Sequence, residues 1–263
     1  MRSLRSLQSL DSKTALVTGG TGHIGRSVAE ALAELGANVI VMDRDARTCK
    51  TVATDLKQRY SIDARGIACD LGNEKQLRKT LRTLKPLNIV VHTAGYVGTS
   101  GLKGYSVPFQ KQTSAAWNEA MAVNLTSAFI LAQECRKTLE TGGNASMIFF
   151  SSIYGVVGPD FQMYDKTPLN NPAAYNASKG GLLQLTRYLS TLLAPKIRVN
   201  AISPGGVYRN HPALFHNRYK DKTPLRRMAT EEDFKGAVAY LASDLSAYVT
   251  GHNLIVDGGW TAW

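Results

Sequence analysis

From Lys13 to the C-terminus, short β-branched apolar runs alternate with longer stretches of helical periodicity, a pattern that few folds satisfy. The runs are KTALVT (13–18), NVIVMD (38–43), ARGIACD (64–70), LNIVVH (87–92), ASMIFF (145–150), IRVNAI (197–202) and NLIVDG (253–258). Helical stretches fall between them at 23–35, 45–59, 73–84, 114–138, 172–194 and 230–242. Strands that are apolar on both faces and joined by helices predict a parallel sheet covered on both sides, wound right-handedly. The expectation is one α/β domain over residues 1–263, a doubly wound parallel seven-stranded sheet with helices on both faces. Segments 93–113, 151–171 and 203–229 are too long to be simple connections. Each follows the C-terminal end of a strand, where open α/β sheets bind ligands, so these are the expected substrate loops.

Composition narrows the classes. No apolar run approaches the roughly 20 residues needed to cross a bilayer, and the leader MRSLRSLQSL lacks the apolar centre of a secretion signal. The chain reads as unsecreted and cytoplasmic, without a membrane partner. Cys49, Cys69 and Cys135 are odd in number and lack metal-ligand spacing, so no metal site is expected. The net charge of +11 raises the question of nucleic acid, but no block of five Lys/Arg and no nucleic-acid motif accompanies it. An anionic small molecule is the more specific alternative to a merely basic surface.

TGGTGHIG (18–25) sits between the first strand and an alanine-rich helix, the context in which a glycine turn holds a dinucleotide in a Rossmann-type fold. Glycines permit a tight turn and close approach of backbone to pyrophosphate, while a helix N-terminus presents unpaired N–H groups and partial positive charge. Gly19, Thr21, His23 and Ile24 are thus candidate cofactor contacts. The second strand ends in Asp43, placed to accept hydrogen bonds from an adenosine ribose and to repel a 2′-phosphate. This favours NAD over NADP, with Arg44 as the dissenting residue, since a guanidinium could hold that phosphate or stack on adenine. Asp70, ending the third strand, falls near the adenine amino group or is simply a strand-end or helix-capping acid.

In AYNASKGGLLQLTRYL, Tyr175 and Lys179 are spaced i,i+4, on one face of a helix. A phenol with a pKa of about 10 is a poor base at neutral pH unless a neighbouring cation stabilises its anion. The preceding strand ends in FFSSIYG, which brings Ser151 and Ser152 to the edge of the sheet. With TGGTGHIG, HTAG (92–95), AVN (122–124), SSIYG, YNASK, RVNAISPGG (198–206) and YVTGHNLIVDGG (248–259), the chain resembles the short-chain dehydrogenase/reductase family over nearly its whole length. The resemblance implies Tyr175 as general acid/base, Ser152 on the reacting oxygen, Lys179 on the nicotinamide ribose and beside Tyr175, and Asn124 ordering a water in a proton relay. It likewise places Tyr175 itself, with Ala94, Gly95, Pro204, Gly205 and Val207, against the cofactor. It implies hydride exchange with a secondary alcohol or ketone, and a homotetramer or homodimer built on the 114–138 and 172–194 helices.

Several positions depart from the family pattern. His23 stands where the middle glycine usually lies, and HTAG replaces NNAG, so His92 and Thr93 must satisfy different hydrogen bonds. Tyr175 follows Ser152 by 23 residues (175 minus 152), longer than is usual; Tyr164 fits the usual spacing but has Pro168 where the lysine belongs. Tyr175 is therefore the expected acid/base, with PDFQMYDKTPLNN forming a lobe over the substrate. Between Arg209 and Arg227 lie six Lys/Arg, which suit a solvated loop or an anionic substrate. The long SSIYGVVGPD loop and the VDGGWTAW ending resemble members acting on sugars, polyols or sugar derivatives. The rival from another class is a nucleotide-binding sensor or scaffold without turnover.

Overall fold

The structure, a computed structural model, describes residues 1–263. A short helix, α1 (Leu4–Gln8), precedes the alternating part, and Leu10 anchors this N-terminal turn in the core. There follow β1 (Thr14–Thr18), α2 (His23–Glu34), β2 (Asn38–Asp43), α3 (Ala46–Tyr60), β3 (Ala64–Ala68), α4 (Glu74–Leu81) and β4 (Ile89–His92). The second half runs α5 (Ser114–Met121), α6 (Ser127–Gly142), β5 (Ala145–Phe150), α7 (Ala173–Leu193), β6 (Ile197–Pro204), α8 (Ala213–Lys222), α9 (Lys235–Ala242) and β7 (Asn253–Val256).

All strand pairings are parallel, in the order β3-β2-β1-β4-β5-β6-β7. The expected doubly wound sheet is therefore present. Its side chains alternate between two cores. Leu16, Met42, Val90, Met147, Phe149 and Val199 pack against α4, α6 and α7; Val17, Val41, Val91, Ile148, Phe150 and Ile202 pack against α2, α3 and α9. The strand order reverses direction between β1 and β4, whose last residues Thr18 and His92 are direct partners in the register. That switch opens the crevice in which such sheets bind ligands.

Three elements differ from expectation. The 114–138 helix is not continuous: a π turn over Ala122–Thr126 separates α5 from α6, and α6 runs on to Gly142. The expected loop 203–229 contains α8, built on the buried i,i+4 pair Phe215 and Tyr219. The 230–242 helix opens with a 3₁₀ turn, Glu231–Phe234, held by a capping box in which Thr230 and Asp233 bond reciprocally.

Candidate active site

The glycine turn is shaped for a close ligand. Gly19 has φ +71°, and a Cβ there would lie 2.6 Å from the Ala94 Cα. At Gly25 a Cβ would lie 2.0 Å from the Gly19 carbonyl oxygen, so α2 approaches β1 as only glycine allows. The N-cap of α2 is Gly22, which provides no side-chain cap, so the first-turn N–H groups of His23 and Ile24 face outward unpaired. An uncapped 12-residue helix at a glycine turn fits a dinucleotide pyrophosphate. His23 fits the middle-glycine position because its side chain is exposed and turned toward Glu231, 3.8 Å away, leaving only its backbone at the cradle.

Asp43 closes β2 beside the turn. Its Oδ2 accepts from Thr21 Oγ1 (2.6 Å) and Thr21 N (3.2 Å), and its Oδ1 from Arg44 N (2.8 Å). Arg44 is exposed, and its guanidinium carbon lies 6.0 Å from the centroid of the Tyr96 ring. Asp70 is exposed and its Oδ1 accepts from Gly72 N at 2.9 Å, the turn-capping arrangement. Across the crevice a Cβ on Gly95 would sit 3.3 Å from Asn124 Oδ1 and 3.5 Å from Lys179 Nζ, so Gly95 marks the junction of cradle and chemistry. Pro204 ends β6; Gly205 is pressed against Asp257, and Val207 pairs with Ala229 in an isolated bridge.

Ser152, Tyr175 and Lys179 converge where β5 gives way to its loop. Ser152 and Lys179 are buried and Tyr175 is partly so. Burial pushes the Tyr175 phenol up, and the nearby Ser152 hydroxyl pulls the other way. Lys179 Nζ donates to the Phe150 carbonyl at 2.7 Å and stands 5.7 Å from the Tyr175 ring centroid. Burial lowers its pKa to about 8. The π turn carries Asn124 inward: its Oδ1 accepts from Tyr96 N (2.7 Å), and its Nδ2 donates to Tyr96 O (3.2 Å) and Ser178 Oγ (3.1 Å). Ser178 in turn donates to the Tyr175 carbonyl at 2.8 Å. With both side-chain N–H groups committed to the framework, Asn124 has its backbone and one lone pair of Oδ1 to offer a relay.

His92 is fully buried. Its Nδ1 lies 2.7 Å from Thr18 Oγ1 and its Nε2 3.4 Å from Ser127 Oγ, which itself donates to the Val123 carbonyl. Ser127 is thereby an acceptor toward Nε2–H, and Thr18 the donor to Nδ1. Desolvation, reinforced by the Lys179 charge, drops the His92 pKa to about 3. Thr93 adds two bonds to the Thr18 carbonyl, through N (3.0 Å) and Oγ1 (2.8 Å). His92 and Thr93 thus satisfy their hydrogen bonds within the framework of β1, β4 and α6.

The segment after Ser152 folds into a lobe against α8. Lys222 pairs with Asp160, Arg218 donates to the Asp165 carbonyl at 2.6 Å, and Tyr164 packs on Phe215 at 5.5 Å between centroids. Ion pairs engage most of the basic cluster besides: Arg209 pairs with Glu231 (2.6 Å), Arg227 with Asp233 (2.6 Å) and Arg226 with Asp221 (3.4 Å). Of the six, Lys220 alone has neither a carboxylate nor a carbonyl partner. Sequence reasoning missed Tyr154, which joins Tyr164 within the lobe. The aromatic density of 154–164 opposite that of 208–219 was the available signal.

A family model described as enoyl-(acyl carrier protein) reductase matches residues 20–261. The chain is 29% identical to the sorbose reductase of Schizosaccharomyces pombe, over 98% of this chain and 99% of that protein. A gluconate 5-dehydrogenase from Burkholderia cenocepacia, solved with NADP and tartrate, superposes with a TM-score of 0.88 at 25% identity, covering 99% of this chain and 100% of that one. A short-chain dehydrogenase from Leptospira borgpetersenii, solved with NAD+, gives a TM-score of 0.82 at 33% identity, over 99% and 96%.

Proposed function

The chain belongs to the short-chain dehydrogenase/reductase family, as an NAD(P)-dependent oxidoreductase acting on alcohol and ketone groups, and on that premise we propose an NAD-linked interconversion of a neutral polyol and its ketose. The observation that carries the reading is the convergence of Ser152, Tyr175 and Lys179 beside Gly95, at the mouth of the glycine cradle. A nicotinamide, when bound, supplies or accepts the hydride. Gly19, Thr21, the N–H groups of His23 and Ile24, and Asp43 would hold the nucleotide half, with Asp70 flanking it; Ala94, Gly95, Pro204, Gly205 and Val207 would line the path toward the chemistry.

Ser152 Oγ donates to the substrate oxygen and fixes it near the Tyr175 phenol. In oxidation Tyr175 takes the hydroxyl proton; in reduction it returns one. Burial opposes a phenolate in the free protein, so the role given to Tyr175 requires the Lys179 cation four residues on, together with the nicotinamide charge, to offset it. Asn124 fixes the π turn and, through Ser178, the start of α7.

Asp43 supports NAD, because a 2′-phosphate would meet its carboxylate, while Arg44 leans over Tyr96. The internal pairing of the basic cluster supports a neutral substrate over an anionic sugar derivative. The half-exposed apolar residues Trp117, Phe129, Tyr188 and Leu192 on α5, α6 and α7 suit a symmetric dimer or tetramer, which sizing measures. The test of function is a panel of polyols, ketoses, sugar acids and an enoyl thioester, followed at the nicotinamide absorbance with NAD and NADP in parallel. Turnover of polyols or ketoses with NAD is expected. Turnover of the enoyl thioester alone, or nucleotide binding without turnover, overturns the reading.

A further inference from the structure

Within the lobe, the hydroxyls of Tyr154 and Tyr164 share a hydrogen bond of 2.8 Å, and the Asn171 side-chain amide donates to Tyr164 Oη at 2.9 Å. Asn171 Oδ1 accepts from Asn176, the neighbour of Tyr175, and Tyr154 N donates to Ser152 Oγ at 3.1 Å. The phenol pair is thus tied at one end to the helix start that bears Tyr175 and at the other to the turn that bears Ser152.

Counting protons shows what the pair has left to give. If Tyr164 donates to Tyr154, the Tyr154 proton has no acceptor on the chain; if Tyr154 donates, the Tyr164 proton has none. One phenolic O–H is left over in either arrangement. Both residues are partly buried in a mostly apolar cluster with Ile153, Met163, Leu169 and Phe215; Tyr219, the one other hydroxyl of that cluster, accepts from Gly206 N and makes no hydrogen bond to either phenol. A donor drawn into such surroundings is unfavourable until an oxygen meets it.

We propose that the Tyr154–Tyr164 pair is a specificity element, donating its remaining phenolic proton to a substrate hydroxyl other than the reacting one, and so favouring polyols and sugars over hydroxyl-free alcohols. This rests on the polyol reading above and deepens it. It also gives the long Ser152–Tyr175 spacing a use: the extra chain delivers Tyr164, and the Lys222–Asp160 contact holds it against α8.

The experiment compares Tyr154→Phe, Tyr164→Phe and the double variant with the wild type. It measures kcat/KM for cyclohexanol and for the polyol that the wild type turns over fastest. The polyol-to-cyclohexanol ratio falls about tenfold or more in the double variant and in at least one single variant, since a site that has lost a hydrogen-bond donor loses its preference for the partner hydroxyl. If the double variant does not fold, the ratio in the two single variants decides. A wild type active on polyols whose ratio survives these substitutions overturns the role of the pair alone. A wild type that turns over cyclohexanol but no polyol overturns the polyol reading, and this proposal with it.

Discussion

The nucleotide side and the substrate side of the crevice are built by different means. Around β1, β2 and α2 the shape is set by backbone: a glycine at positive φ, a helix start pressed on a carbonyl, and a carboxylate bonded to a threonine 22 residues away. Around the lobe and α8 the shape is set by side chains reaching far along the sequence, with Lys222 on Asp160 across 62 residues and Arg218 on Asp165 O across 53. Backbone-built sites tolerate few substitutions but leave local signatures. Side-chain-built sites can be re-pointed, which suits the half of an enzyme that must discriminate among substrates.

Four substitutions press on that contrast. Tyr175→Phe should lower kcat by about 10²- to 10⁴-fold while leaving the nucleotide Kd unchanged, as measured by turnover beside fluorescence titration. Comparable loss of both would show that the two sides are not separable. Asp43→Ser should move the NAD-to-NADP ratio of kcat/KM by at least about tenfold toward NADP, through removal of a carboxylate facing the 2′ position. An unchanged ratio would assign the preference to Arg44 instead.

Lys179→Met separates structure from chemistry through pH. With a folded pKa of about 8, Lys179 loses its proton in the native state while the unfolded chain still holds one, so this residue adds stability as pH rises from about 8 to about 10. Burial of Cys135, whose thiol is pushed up to about 12, acts in the opposite direction. The informative quantity is therefore the difference between wild type and variant in urea unfolding. It should grow in favour of wild type by up to about 1.4 kcal/mol per pH unit over that window. The smallest effect is expected for Lys222→Met. Its pair with Asp160 is partly exposed, so the loss of stability should stay within about 1 kcal/mol. The substrate KM should rise by no more than about fivefold and the nucleotide KM should hold.

The same contrast explains what was legible before the structure. The sheet with its two covered faces and the glycine turn followed from spacing, because apolar β-branched runs and a glycine turn are local facts. The lysine four residues on separates Tyr175 from Tyr164 in the sequence, whereas the bonds of Tyr164 to Tyr154 and Asn171 are visible only in the fold. The break at Ala122–Thr126 was not legible, since it serves bonds from Asn124 to Tyr96 and Ser178 that exist only in the fold. Nor was the fate of the basic cluster. Asp160, Asp233 and Glu231 lie outside the Arg209–Arg227 stretch, so its charge looked available for a substrate.

Glu231 belongs to neither side alone. Its carboxylate closes on Arg209 at 2.6 Å and lies 3.8 Å from His23, while its carbonyl accepts from Ser27 Oγ at 3.0 Å. One acid is therefore shared by the unusual residue of the glycine turn and the first cation of the loop after β6. Substitutions at His23 and Arg209 should consequently be non-additive: removing either leaves the carboxylate wholly to the other, and a double-mutant cycle on nucleotide affinity registers that sharing as a coupling energy. Variation at the cradle and at the substrate loop is, through this one side chain, a single problem in epistasis.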